Sequence, residues 1–103
     1  MNKATAREYL ELLRLHRGEL RGFGVTRIGL FGSVLRGEEQ SNSDVDVLVD
    51  IEPARKDYGS FLDLADYLES LFKGRRVDLV TTGAISKYIL PYVMKEVQQI
   101  EVG

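Results

Sequence analysis

The segment DVDVLVDI, residues 44–51, constrains the fold more than any other stretch of the chain. Successive side chains of a strand point to opposite faces, so Val45, Val47 and Val49 fall on one side and Asp44 and Asp46 on the other, their Cα atoms about 7 Å apart. The apolar face must be covered by a core, and the acidic face must stay open to solvent or to a ligand. Taken alone, Asp44 and Asp46 are equally compatible with an edge strand that has a solvated face.

The neighbouring segments supply the layers such a strand needs. From Thr5 to about Leu20, Tyr9, Leu10, Leu12, Leu13 and Leu20 recur at helical spacing, with charged residues on other faces. Gly22 and Gly24 break that helix, and VTRIGLF predicts a strand over Val25–Phe31. One or two helical turns and a loop fill residues 33–43, where QSNS is turn chemistry. Pro53 ends the acidic strand, and ARKDYGS reads as an exposed loop before a second amphipathic helix over 61–72. RRVDLVTT predicts a third strand, and Pro91 suits the first turn of a last helix over residues 91–99. The order α-β-α-β-α-β-α predicts an α/β (α+β) fold, a small mixed sheet with helices packed on one face.

Composition narrows the chemistry. At 103 residues with 44% hydrophobic content, the chain has material for a single domain over residues 1–103 with one small core. A net charge of -2 provides no broad basic field for nucleic acid. Cysteine is absent and His16 is the only histidine, so thiolate sites are excluded, a histidine-built zinc cluster has too few ligands, and a metal here would have to be held by oxygen. No apolar run approaches a membrane span or a signal core, which makes the cytoplasm the expected location.

Asp78, in RRVDLV, is a further acid embedded among apolar strand residues. If its strand adjoins the acidic one, three carboxylates share a patch, and like charges so placed raise one another's pKa unless a hard cation, magnesium first, neutralises them. The plainer assignment for Asp78 is an ion pair with Arg75 or Arg76. Gly32 and Ser33 follow the first strand: the glycine permits a tight turn close to a ligand, and the serine offers a hydroxyl and an N–H to an anion. Arg36 adds a charge nearby. Each has an ordinary alternative, a turn for Gly32, a helix cap for Ser33 and a solvated charge for Arg36. Together they form a phosphate cradle opposite an acid pair, which is equipment for phosphoryl or nucleotidyl transfer.

The stretch GSVLRGEEQSNSDVDVLVD resembles the Gly-Ser, ten residues, Asp-any-Asp signature of the DNA polymerase beta type nucleotidyltransferase superfamily, and the short chain resembles its minimal nucleotidyltransferase branch. Gly32, Ser33, Arg36, Gly37, Ser43, Asp44 and Asp46 occupy the signature positions, Asp78 matches the third acid, and LPYVMKEV extends the likeness toward the end. Leu35 departs from the alanine common before the arginine. The resemblance implies Asp44, Asp46 and Asp78 as ligands of two magnesium ions, Gly32 and Ser33 as contacts to the ATP triphosphate, and Arg36 as a weaker contact. It also implies an antitoxin role beside a HEPN-domain ribonuclease toxin, in some members through transfer of AMP from ATP to a tyrosine of that partner.

The alternative is a non-catalytic antitoxin that neutralises a HEPN partner by forming a complex. A transferase acting on a nucleic-acid end or a small molecule would need a second subunit for substrate grip. The acceptor, the base preference and the stoichiometry stay open, a homodimer included. His16 and Lys87 are assigned no role.

Overall fold

In a computed structural model, which describes residues 5–38, 44–55 and 57–103, four strands form one mixed sheet flanked by helices. Thr5 caps the first helix, α1 (Ala6–Leu15), by accepting from the Glu8 N–H at 3.3 Å, and Glu8 sits three residues on as in a capping box. The expected single helix over 5–20 is two. At His16 the backbone leaves the helical region, and a ring nitrogen lies 2.8 Å from the Leu12 carbonyl. The ring shares that carbonyl with the His16 backbone N–H, which donates to it at 3.2 Å, and α2 (Arg17–Gly22) starts afresh.

Strand β1 (Val25–Phe31) has the predicted bounds. A short helix, α3 (Gly32–Arg36), follows it directly and leads to β2 (Val45–Ile51), which pairs antiparallel with β1. The helix α4 (Tyr58–Leu71) begins three residues before Phe61, inside the segment expected to be loop. Asp57 caps it, accepting from the Ser60 N–H at 2.8 Å and the Ser60 hydroxyl at 2.9 Å. It carries the chain to β3 (Val77–Thr81), parallel to β2, as a parallel pair requires.

The last predicted helix is shorter than expected. Helix α5 (Leu90–Glu96) stops where Val97 turns extended, and Gln98–Glu101 forms a fourth strand, β4, antiparallel to the free side of β1. The reason is burial. As a strand this segment sends Ile100, with Val102 just beyond it, into the core, which a continued helix could not do. Arg27 pairs with its register partner Glu101 at 2.9 Å, and the Arg21 guanidinium donates to the Val102 carbonyl at 2.8 Å.

The strand order is β3-β2-β1-β4. The core lies on one face, where Val45, Val47 and Val49 meet Tyr9, Leu13 and Leu20 from α1 and α2 and Leu64, Leu68 and Phe72 from α4 and its end. Leu48, on the face of Asp46 and Asp50, and Val93 of α5 are buried outside that cluster. No helix among the described residues is long and apolar enough to cross a membrane.

Candidate active site

The strand order decides where the acids meet. β2 lies between β1 and β3, with Phe31 on one side of Asp46 in the register and Asp78 directly opposite on the other. Gly32 follows Phe31, so the Gly-Ser turn and Asp78 flank one central carboxylate. Asp46 is half-buried and Asp78 exposed.

Burial, and then the charge of Asp78, push the Asp46 carboxyl up to about 6; a hydrogen bond shared with Asp78 and the charge of Asp44 add to the rise, and Arg36 opposes it. A bound cation beside these acids would favour the ionised form and oppose that rise.

Asp44 immediately precedes β2. Its Oδ1 lies 3.2 Å from Arg76 Nε, yet this oxygen is shielded from solvent and lacks a partner with hydrogen-bond geometry. Arg76, one of the two arginines expected beside Asp78, is thus ion-paired with Asp44. Among the described residues no three acidic or histidine side chains are gathered as a preformed metal cage. What the site offers is an oxygen-only donor set: an adjacent carboxylate pair, a third carboxylate close enough to be felt electrostatically, and one buried oxygen short of a partner. Such donors match a hard divalent cation that keeps several waters or substrate oxygens of its own.

Gly32 is tied to this geometry. Its φ is +78°, and a Cβ there would fall 2.0 Å from Asp46 Oδ2. The backbone turn and the carboxylate therefore occupy adjoining space that only glycine leaves free. Ser33 is half-buried in the first turn of α3, and Gly37 closes that helix in a left-handed conformation. Ser43 lies outside the described residues.

Arg36 is turned to acids of its own. Nε donates to Glu38 at 2.8 Å, and Nη1 reaches both oxygens of Glu96 at 3.1 and 2.9 Å. Glu96 also accepts from the Gly32 N–H at 3.0 Å. That N–H and then Arg36 hold its carboxyl below the usual range, while Glu38 and Glu96 raise the Arg36 guanidinium further. Glu96 is not legible in the sequence as a site residue, because no local signal connects a helix-end glutamate with a turn 64 residues earlier. On the same sheet face, Thr82 donates its hydroxyl to Asp50.

Asp46, Asp78 and the Gly32 turn on the ends of adjoining strands define a nucleotidyltransferase fold. The nucleotidyltransferase domain family matches residues 12–100, and the chain belongs to that family and is a nucleotidyltransferase. It is 44% identical to the protein adenylyltransferase MntA of Thermococcus cleftensis, over 94% of this chain and 97% of that one. A solved structure described as a minimal nucleotidyltransferase superposes with a TM-score of 0.70 at 34% identity, covering 86% of this chain and 93% of the other. A toxin–antitoxin crystal structure with AMP-PNP superposes with a TM-score of 0.65 at 27% identity, over 93% of this chain and 72% of that one.

Proposed function

We propose that this chain transfers AMP from ATP to a hydroxyl of a partner protein, a tyrosine of a HEPN-domain toxin, and so serves as the antitoxin of the pair. The observation that carries this reading is the central placement of Asp46, with Asp78 in register beside it and the Gly32 turn filling the space against its carboxylate. Likeness to a relative named as a protein adenylyltransferase, and to a toxin–antitoxin structure containing an ATP analogue, supports the substrate and the kind of partner.

Asp44, Asp46 and Asp78 are the residues that would hold magnesium. The crowding of Asp46 by Asp78 and Asp44, which raises its carboxyl, fits a dication in chemistry and charge. When bound, magnesium supplies charge neutralisation at the phosphates and lowers the pKa of the attacking hydroxyl. The Gly32–Ser33 turn lies where a triphosphate would approach Asp46, with the Ser33 hydroxyl and N–H as donors. The acceptor oxygen forms a bond to the α-phosphorus, the bond from that phosphorus to the β,γ-pyrophosphate breaks, and pyrophosphate leaves as the hydroxyl gives up its proton.

The test is incubation with the toxin encoded beside this chain, ATP and magnesium, followed by intact mass measurement. A toxin heavier by one AMP is expected, with the adduct abolished by Asp44→Asn or Asp46→Asn while circular dichroism is unchanged. Neutralisation of the toxin with no adduct, surviving both substitutions, would replace this reading with a stoichiometric binding antitoxin.

A further inference from the structure

Glu96 is the last residue of α5, and its carboxylate bonds to both ends of helix α3. One oxygen accepts from the Gly32 N–H at 3.0 Å, and both receive Arg36 Nη1 at 2.9 and 3.1 Å. The Glu96 side chain is 31% exposed, against 46% for Arg36, so this pair is shielded more on the acid than on the base. Gly32 is held from both sides: Glu96 takes its N–H, and Asp46 Oδ2 fills the space that a Cβ would occupy.

Helix α3 has five residues, too few to hold itself in place by its own hydrogen bonds. Glycine at positive φ adds freedom rather than stiffness to the turn in front of it. Something outside the turn must set its distance from Asp46. Hydrogen bonds to an ionised carboxylate are the strong kind, and Glu96 makes one to each end of the turn-helix unit.

We propose that Glu96 is a positioning residue for nucleotidyl transfer: it sets the Gly32–Ser33 turn against Asp46 and engages Arg36, which acts through Glu96 rather than on the triphosphate. This rests on the reading of that turn as the triphosphate contact. Misplacing a reacting group by about 1 Å costs on the order of a hundredfold in rate, whereas a partly exposed ion pair contributes little to stability. Loss of Glu96 therefore reduces turnover far more than it destabilises the fold.

The experiment compares Glu96→Gln, Glu96→Ala, Arg36→Gln and the double variant Arg36→Gln with Glu96→Gln. Thermal melting, kcat and KM for ATP with magnesium, and the amide resonance of Gly32 are measured for each. Glu96→Ala is expected to lower kcat/KM by about tenfold to a hundredfold, mostly in kcat, and to shift the Gly32 amide proton upfield. Glu96→Gln keeps an acceptor for Gly32 and loses the charge, so it falls between wild type and Glu96→Ala. The double variant is no worse than Glu96→Gln alone.

Wild-type kcat/KM in both Glu96 variants, an unmoved Gly32 amide, tighter ATP binding in Glu96→Gln, or fully multiplicative losses in the double variant would each overturn the proposal. Should Glu96→Ala melt far below wild type, Glu96→Gln, nearly the same shape, decides the matter by the same measures. An active wild type with equally active Glu96 variants removes the positioning role alone, while a wild type that neither binds ATP nor transfers AMP removes the underlying reading with it.

Discussion

Asp46 shows how one residue records the demands of its site. Burial and then the neighbouring Asp78 hold its carboxyl at about 6 against an ordinary 3.8. Without metal, between about pH 4 and pH 6 the folded protein keeps a proton that the unfolded chain has released, so stability falls as pH rises through that window and the full penalty remains above it. Asp46→Asn removes the penalty. In EDTA it should melt a few degrees above wild type at pH 7.5, where ~1 kcal/mol moves a domain of this size by about 4–8 °C, and the gap should close toward pH 4. Magnesium should raise the melting temperature of wild type and not of Asp46→Asn. A gap independent of pH, measured by thermal melts from pH 4 to 8, would show that the carboxyl is not titrating as described. The acids themselves were readable from alternation along DVDVLVDI, and so was the need for a glycine at position 32. Their partners were not: Arg76 pairs with Asp44, and Glu96 takes Gly32 and Arg36, through contacts between residues remote in sequence.

At the scale of elements, β1 and β2 were legible because strict alternation and β-branched residues leave a strand few rivals. The helix split at His16 and the start of α4 at Tyr58 coincide with local side-chain contacts, the His16 ring at the Leu12 carbonyl and Asp57 capping at Ser60. β4 was missed because Pro91 signals a helix start and Val93, Met94 and Val97 sustain the pattern, while the alternation of Ile100 and Val102 is too short to outweigh it. What stabilises β4 is pairing with β1, and Gly29 makes room for that pairing. A Cβ at Gly29 would lie 2.4 Å from the Gln98 carbonyl oxygen. Gly29→Ala should therefore destabilise the protein by about 1–3 kcal/mol, read as a lower urea midpoint, with faster hydrogen exchange concentrated in residues 98–101. Unchanged exchange there would mean that the sheet edge accommodates the methyl group without moving.

For the whole molecule, the core and the acid face are two sides of one sheet. Leu64 and Leu68 of α4 are fully buried against the valine face of β2, and the same helix carries the chain from β2 to β3. Leu64→Ala should cost about 2–5 kcal/mol in urea unfolding, while AMP transfer well below the melting temperature stays within a few-fold of wild type, because the register of Asp46 with Asp78 is held by backbone pairing. A loss of transfer matching an Asp46 substitution would place the acid geometry under the control of core packing instead. Local information, the period of apolar residues, glycine and proline positions and the spacing of acids, determined three of the four strands, the helices that cover them, the acids of the site and the family those residues resemble. Tertiary structure alone decided that β2 lies between the Gly32 turn and Asp78, that β4 closes the far side of β1, and that Glu96 reaches back to the turn. Each of those contacts joins residues far apart in the chain, and their free energy depends on which strands become neighbours, a choice made by burial over the whole sheet and not by any one stretch of sequence.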